Sequence, residues 1–420
     1  MDCKKRRVVI TGMGVIQSLG NNIDAFWKAV KKGECGISKI ESFDTTDLAT
    51  TVGAEIKDYD PTIHIDRKEA RRMDRFTQFA ISAACEAFKN SGINKENIDG
   101  SRMGVIIGSG FGGLQTLEKQ IEILKTKGPS RISPFFATML INNIAAAQVA
   151  IRFGARGFSE CVSSGCSTSN NAVGDAFKII QSKRADIMIT GGTEASMTRL
   201  SYAGFCAANR SMSQNSNPKK ACRPFDIKRD GFVMGEGAGI LILEEIEHAK
   251  KRGAKIIAEI IGYGCTNDAY HVVAPAPEGK GSVESMKEAL LDAGLKYNEV
   301  DYINAHGTST VLNDKNESKA IKTVFKEQTN KIPVSSTKSI TGHLMGAAGA
   351  VEAIITSMAL KEGYLPPTIN YENPDPECNL KDYVANKGRK KEIKYALSNG
   401  FGFGGHNVTL AFAKYINEWL

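Results

Sequence analysis

Three short, glycine-flanked segments hold the residues whose types and spacing could do chemistry. They are Ser163-Ser164-Gly165-Cys166-Ser167-Thr168, Asn304-Ala305-His306-Gly307-Thr308-Ser309-Thr310 and Lys338-Ser339-Ile340-Thr341-Gly342-His343-Leu344-Met345-Gly346. One offers a thiol and two offer an imidazole. Small neighbours let backbone crowd a substrate at all three. A thiolate can hold an acyl group, and imidazoles can donate hydrogen bonds to a carbonyl or move a proton. The set suits acyl-thioester chemistry.

Cys166 is placed at the start of a helix over residues 167–180. Free amides and the helix dipole favour an anion there, so its thiol pKa is expected to be lowered. Cys3, Cys35, Cys85, Cys161, Cys206, Cys222, Cys265 and Cys378 read as structural cysteines. His306 ends a buried-looking strand and is followed by three hydroxyl residues after Gly307. His343 is expected at a helix start in the opposite half. His64, His248, His271 and His406 read as ordinary surface or core residues. No HxxxH or Cys/His ligand spacing is present, which disfavours a metal site.

These loops need a scaffold. Residues 8–12 read as a β-branched first strand ending in glycine. Arg75–Ser91 carries one apolar helical stripe, and Gly92 caps it. Residues 103–107 form a strand that runs into Gly108-Ser109-Gly110-Phe111-Gly112-Gly113. The same order recurs: a helix over 282–293 capped by Gly294, a strand over 300–305, then His306-Gly307-Thr308. Gly165-Cys166 opens a helix to about residue 182, and Gly342-His343 opens one to about residue 362. Strands over 186–190 and 394–398 follow, each ending in a glycine turn. This spacing predicts an internal duplication of one βα layout, divided into 1–253 and 254–420, with catalytic loops meeting at the strand ends.

The bulk composition excludes several classes. The 420 residues are 42% hydrophobic and 24% charged, as in a soluble globular protein. A net charge of +8 without a basic stripe argues against nucleic acid. Lys4-Lys5-Arg6-Arg7 precedes too short an apolar run for a signal peptide, and every apolar run stays below membrane-spanning length. Nine scattered cysteines without CxxC pairs fit free thiols in a reducing cytoplasm. Gly108-x-Gly110-x-x-Gly113 and Gly400-x-Gly402-x-x-Gly405 match the dinucleotide fingerprint, but neither has the acidic residue that ribose binding needs. Gly402-Phe403-Gly404-Gly405 is the better candidate for aiming N–H groups at a thioester oxygen.

Taken together, the chain resembles the β-ketoacyl-[acyl-carrier-protein] synthases, in particular the synthase II type. The resemblance covers essentially the whole chain and includes Val9-Ile10-Thr11-Gly12-Met13-Gly14, Arg223-Pro224-Phe225-Asp226, Arg229-Asp230-Gly231-Phe232-Val233-Met234-Gly235-Glu236-Gly237, the segments around His306 and His343, and residues 398–407. It implies an α/β, thiolase-like, five-layered αβαβα fold and a homodimer. It implies decarboxylative condensation of an acyl carrier with malonyl carrier, with no cofactor and no metal required for catalysis. Cys166 matches the acyl-accepting nucleophile. His306 and His343 match the pair that drives decarboxylation, and Lys338 matches the lysine that organises the site. Phe403 matches a gate whose N–H joins that of Cys166 in an oxyanion hole. Thr308 and Thr310 match residues that hold the phosphopantetheine arm. Lys68, Arg71 and Arg72 match the docking patch for acidic acyl carrier protein. A buried cation site would fall on Asn304, Glu352, Ser398 and Asn399.

The chain departs from that pattern at Ser164-Gly165-Cys166-Ser167, where relatives often carry Thr-Ala-Cys, and at Phe158, where proline is common. Phe111 stands where isoleucine is usual at the acyl pocket. The larger ring is expected to restrict the primer to shorter chains. A ketosynthase of a polyketide or other specialised pathway is the alternative reading. A thiolase would need a late catalytic cysteine, which residues 402–407 lack. A non-catalytic chain-length partner would lack Cys166. A nucleotide-binding oxidoreductase would have to bind NAD(P)H.

Overall fold

The computed structural model describes residues 5–208 and 211–416; Cys3 and Lys4 lie outside them. Ten strands form the main sheet. In chain order they are β1 (Val8–Gln17), β2 (Met103–Gly108), β3 (Ser159–Glu160), β4 (Ile187–Glu194), β5 (Gly237–Glu245), β6 (Ala258–Asn267), β7 (Tyr302–Asn304), β8 (Val334–Ser335), β9 (Tyr395–Gly402) and β10 (His406–Ala413). Their spatial order is β8-β7-β9-β10-β6-β1-β5-β4-β2-β3. Read outward from the middle, each half repeats the other: β1 answers β6, β5 answers β10, β4 answers β9. The ladder directions repeat as well. β4 is antiparallel to β5 and parallel to β2, and β9 is antiparallel to β10 and parallel to β7. The halves join where β1 runs antiparallel to β6, with Val8 opposite Ile260.

Helices fill the layers around these strands. α1 (Arg75–Ser91) covers the outer face of β1, β5 and β4. α2 (Thr168–Gln181) and α5 (Ala348–Glu362) lie between the two halves of the sheet, and α5 is buried from Ala348 to Leu360. α3 (Lys280–Ala293) covers β6 and β10, with α4 (Val311–Phe325) packed against it. The result is the thiolase-like αβαβα arrangement. Its central apolar core joins Val173, Phe177 and Ile180 of α2 to Val351, Ile354 and Ile355 of α5.

Paired glycines set the spacing of the outer layers. A Cβ at Gly14 would lie 2.0 Å from the Ala83 carbonyl oxygen of α1, and one at Gly264 would lie 2.0 Å from that of Ser285 in α3. Gly12 and Gly262 face Ala87 and Ala289 in the same way, at 2.1 and 2.3 Å. Only a residue without a side chain admits helix backbone this close.

Several sequence expectations shift. β1 continues through Gly12 to Gln17, and β4 and β9 continue through the glycines read as turns. Interior glycine in these strands marks close approach of a helix, a neighbouring strand or a turn, not a strand end. His343 does not open a helix: Met345–Ala347 is a 3₁₀ turn, and α5 begins at Ala348.

Candidate active site

The strand and helix ends of the two halves face one another across a cavity of about 420 Å³. Cys166, His306, His343, Thr308, Thr310 and Phe403 all line it. Cys166 precedes α2 and is 8% exposed. Gly165 takes φ +61° to turn the chain there, and its α-hydrogen side abuts Phe403 backbone. Thr168 Oγ1 accepts from Ser164 N at 2.8 Å and donates to Gly165 O at 2.7 Å, which closes the turn. Gly402 packs against the amide of Cys166, so the Phe403 amide reaches the sulfur.

The expectation of an acidic thiol is overturned. Burial pushes the Cys166 thiol up to about 11, against the opposing pull of Lys338 and the Phe403 N–H. A helix start stabilises a thiolate only when desolvation does not outweigh it.

Both imidazoles are buried. Burial first, and the nearby Lys338 second, hold His306 and His343 well below the usual histidine range, so each is neutral at pH 7. Their rings sit edge to face with centroids 5.6 Å apart. Lys338 Nζ donates to His306 O at 2.7 Å, lies 3.3 Å from His306 Nδ1 and pairs with Glu352. A cation at Nδ1 places the ring proton on Nε2, which makes that nitrogen the donor. The backbone of His343 donates to Val233 O at 2.7 Å, and its ring stands edge-on to Phe232 at 5.4 Å. Its Nδ1 is buried and has no hydrogen-bond partner among the described residues.

Two carboxylates of this region escape the sequence pattern. Glu317 on α4 accepts from His306 N and Gly307 N, each at 2.8 Å, and from Asn399 Nδ2 at 3.1 Å. It fixes the loop that presents His306. Its signal is a pair of acids, Asp314 and Glu317, on the same helix face as Ile321 and Phe325, where an amphipathic helix should be apolar. Glu194 ends β4, fully buried, where the glycines before it suggest a turn.

Not every expected residue reaches the cavity. Phe111 is 40% exposed and does not line it. Its ring contacts Phe205 at 6.1 Å, and Phe205 contacts Phe232 at 5.5 Å, so it stands behind the cavity wall. Lys68, Arg71 and Arg72 are exposed on and after the short helix Arg67–Ala70, with Arg72 stacked over Phe135. Asn304, Ser398, Asn399 and Glu352 are buried together. Asn304 and Ser398 are register partners, and Asn304 Oδ1 and Ser398 Oγ lack hydrogen-bond partners among the described residues. Two unpaired neutral oxygens at paired strand positions fit a hard cation.

A buried thiol facing two neutral imidazoles, at the meeting of duplicated halves, is the arrangement the motifs implied. Residues 5–249 match the β-ketoacyl synthase N-terminal domain, and residues 257–372 match the C-terminal domain. The chain belongs to the β-ketoacyl synthase family. It is 52% identical over 412 residues to 3-oxoacyl-[acyl-carrier-protein] synthase 2 of Synechocystis sp., covering 98% of this chain and 99% of that one. It is 50% identical to the enzyme of the same name from Staphylococcus aureus, with the same coverage. Among solved structures, this synthase superposes on the ishigamide ketosynthase/chain length factor with a TM-score of 0.92 at 32% identity, covering 98% and 100% of the two chains. It superposes on a type II PKS ketosynthase in complex with its acyl-carrier protein with a TM-score of 0.90 at 36% identity and the same coverage.

Proposed function

We propose that this chain is a 3-oxoacyl-[acyl-carrier-protein] synthase that elongates fatty acyl chains. The convergence of Cys166, His306, His343 and the Phe403 N–H on one cavity carries the reading, together with 50–52% identity to synthase 2 enzymes over nearly the full length.

Acyl transfer comes first. The Cys166 sulfur attacks the thioester carbonyl of acyl carrier protein, its proton passes to a neutral imidazole, and the carrier thiol leaves with a proton. The amides of Phe403 and Cys166 stabilise the tetrahedral oxyanion. Malonyl carrier then enters. Loss of CO₂ leaves an enolate whose oxygen accepts hydrogen bonds from His306 Nε2 and from His343. No strong base is needed, only donors in a dry pocket. The enolate carbon attacks the acyl carbonyl. A C–C bond forms, the C–S bond to Cys166 breaks, and 3-oxoacyl carrier is released. Lys338 holds His306 in its donor tautomer.

The reaction proceeds without a bound cofactor, since the carrier brings the phosphopantetheine arm past Thr308 and Thr310. Lys68, Arg71 and Arg72 steer the acidic carrier. The Asn304–Ser398 cluster would hold a cation that stabilises the fold. The enzyme works as a homodimer, supported by the exposed apolar residues Ile121, Leu124, Phe135 and Ile141.

Pure protein mixed with acyl carrier and malonyl carrier should yield a carrier product two carbons longer and an acyl group on Cys166 by mass spectrometry. Absence of any longer product from every primer would remove the assignment.

A further inference from the structure

Arg229 is a buried cation at the start of a helix, where the amide dipoles favour an anion. Its Nε donates to Thr310 O at 3.2 Å and its Nη2 to Val311 O at 3.0 Å, the carbonyls of the cap and first residue of α4. Nη1 donates to Asp226 O at 3.0 Å and pairs with Asp375. Asp314, in the first turn of α4, lies 3.7 Å from Nε. The two carboxylates offset the cost of burying the charge. The fork itself grips main chain.

The gripped turn lines the cavity. Thr308, Thr310 and Val311 border it together with Cys166. Between the threonines, Ser309 takes φ +69°, a left-handed conformation uncommon outside glycine. Its N–H donates to Asp314 Oδ1 at 3.2 Å, its Oγ accepts from Arg223 N at 3.0 Å and its carbonyl accepts from Gly231 N at 3.0 Å. Thr310 is the N-cap of α4, a position where threonine ordinarily accepts from a helix amide. Among the described residues its hydroxyl makes no such bond. It lies 2.8 Å from Thr308 Oγ1 instead. One hydroxyl of that pair donates to the other, and the second keeps its proton for a carbonyl.

We propose that Arg229 is a positioning residue for the carrier's phosphopantetheine arm: by gripping the carbonyls of Thr310 and Val311 it holds the Thr310 hydroxyl off the helix and paired with Thr308, so that the pair meets an amide of the arm. This rests on the synthase reading. Lysine at 229 isolates the grip. It keeps a positive charge between Asp314 and Asp375, but an ammonium cannot reproduce the fork that spans two carbonyls. The Thr310 side chain is then free to turn back and cap α4.

The test compares wild type, Arg229→Lys, Thr310→Val and the double variant on acyl carrier and on acyl-pantetheine, which has the arm without the protein, with malonyl carrier saturating. Arg229→Lys should raise KM for both acyl donors by about tenfold and leave kcat within about twofold, because a contact to the arm is the same in ground and transition states. Added to Thr310→Val it should raise KM no further. A fall in kcat with KM unchanged, a rise confined to acyl carrier, or additive effects would overturn the proposal. Calorimetry with pantetheine alone needs no turnover. Its affinity should fall by about tenfold in Arg229→Lys, and equal affinities would overturn the proposal as well. A wild type that bound pantetheine but elongated nothing would sink the synthase reading, while the grip on the arm would stand. If Arg229→Lys does not fold, Asp375→Asn loosens the same guanidinium from Nη1 and should raise both KM values by about threefold; unchanged values would count against Arg229.

Discussion

In the N-terminal half, α2 begins at Thr168, two residues after Cys166. In the C-terminal half, its counterpart α5 begins at Ala348, five residues after His343. The strands beneath them follow one plan, and the same glycine pair admits the outer helix in each half. The 3₁₀ turn Met345–Ala347 is the local difference. It draws His343 back from the helix and sets it opposite the thiol, not in mirror position to it. The charges diverge too. Glu352 in the C-terminal half pairs with Lys338, whereas Glu194 in the N-terminal half rests on amides and a hydroxyl. Burial pushes both carboxylates up to about 7. A duplicated scaffold therefore supplies position twice, while turn length and charge supply chemistry once each: an acyl-bearing sulfur on one side, proton donors on the other.

The largest test of that contrast is the buried ion pair. Lys338→Met should cost about 3–5 kcal/mol in chemical denaturation, because Glu352 would lose its cation in a dry site. Equal stability in wild type and variant would mean that Lys338 and Glu352 are not coupled. The glycine pairs sharpen the structural side of the comparison. Gly14→Ala and Gly264→Ala should each destabilise by about 1–3 kcal/mol through the same clash with a helix carbonyl. A large cost in one half with none in the other would break the equivalence of the halves. The smallest effect concerns the thiol. Alkylation of Cys166 by iodoacetamide should keep rising with pH toward about 11, because the reactive thiolate forms only there. A plateau below pH 8 would restore the expectation from helix position.

How much of this could be read beforehand depended on how local each cause is. Helix Arg75–Ser91 was legible because its apolar stripe and capping Gly92 lie within one segment. Cys166, His306 and His343 were legible because small residues surround each in the sequence. The continuation of β4 through Gly191 and Gly192 was not, since a glycine opposite another strand or helix looks the same as one in a turn. The pKa of Cys166 was misjudged because helix position is local and burial is not. Phe111 looked like a pocket residue, yet its separation from the cavity by Phe205 and Phe232 depends on three distant segments meeting. Glu194 and Glu317 stayed hidden because most of their partners are backbone amides, which leave no mark on composition.

The most direct test of the central claim runs the two half-reactions separately on the same variants. Acyl transfer to residue 166 is read by mass spectrometry with acyl carrier alone, and CO₂ release is read with malonyl carrier alone. Cys166→Ala should take up no acyl group and still decarboxylate. His306→Ala and His343→Ala should accept the acyl group and decarboxylate about 10²–10³-fold more slowly. Histidine variants that decarboxylated at the wild-type rate, or a Cys166→Ala protein that still carried the acyl chain, would contradict the division of labour between the halves.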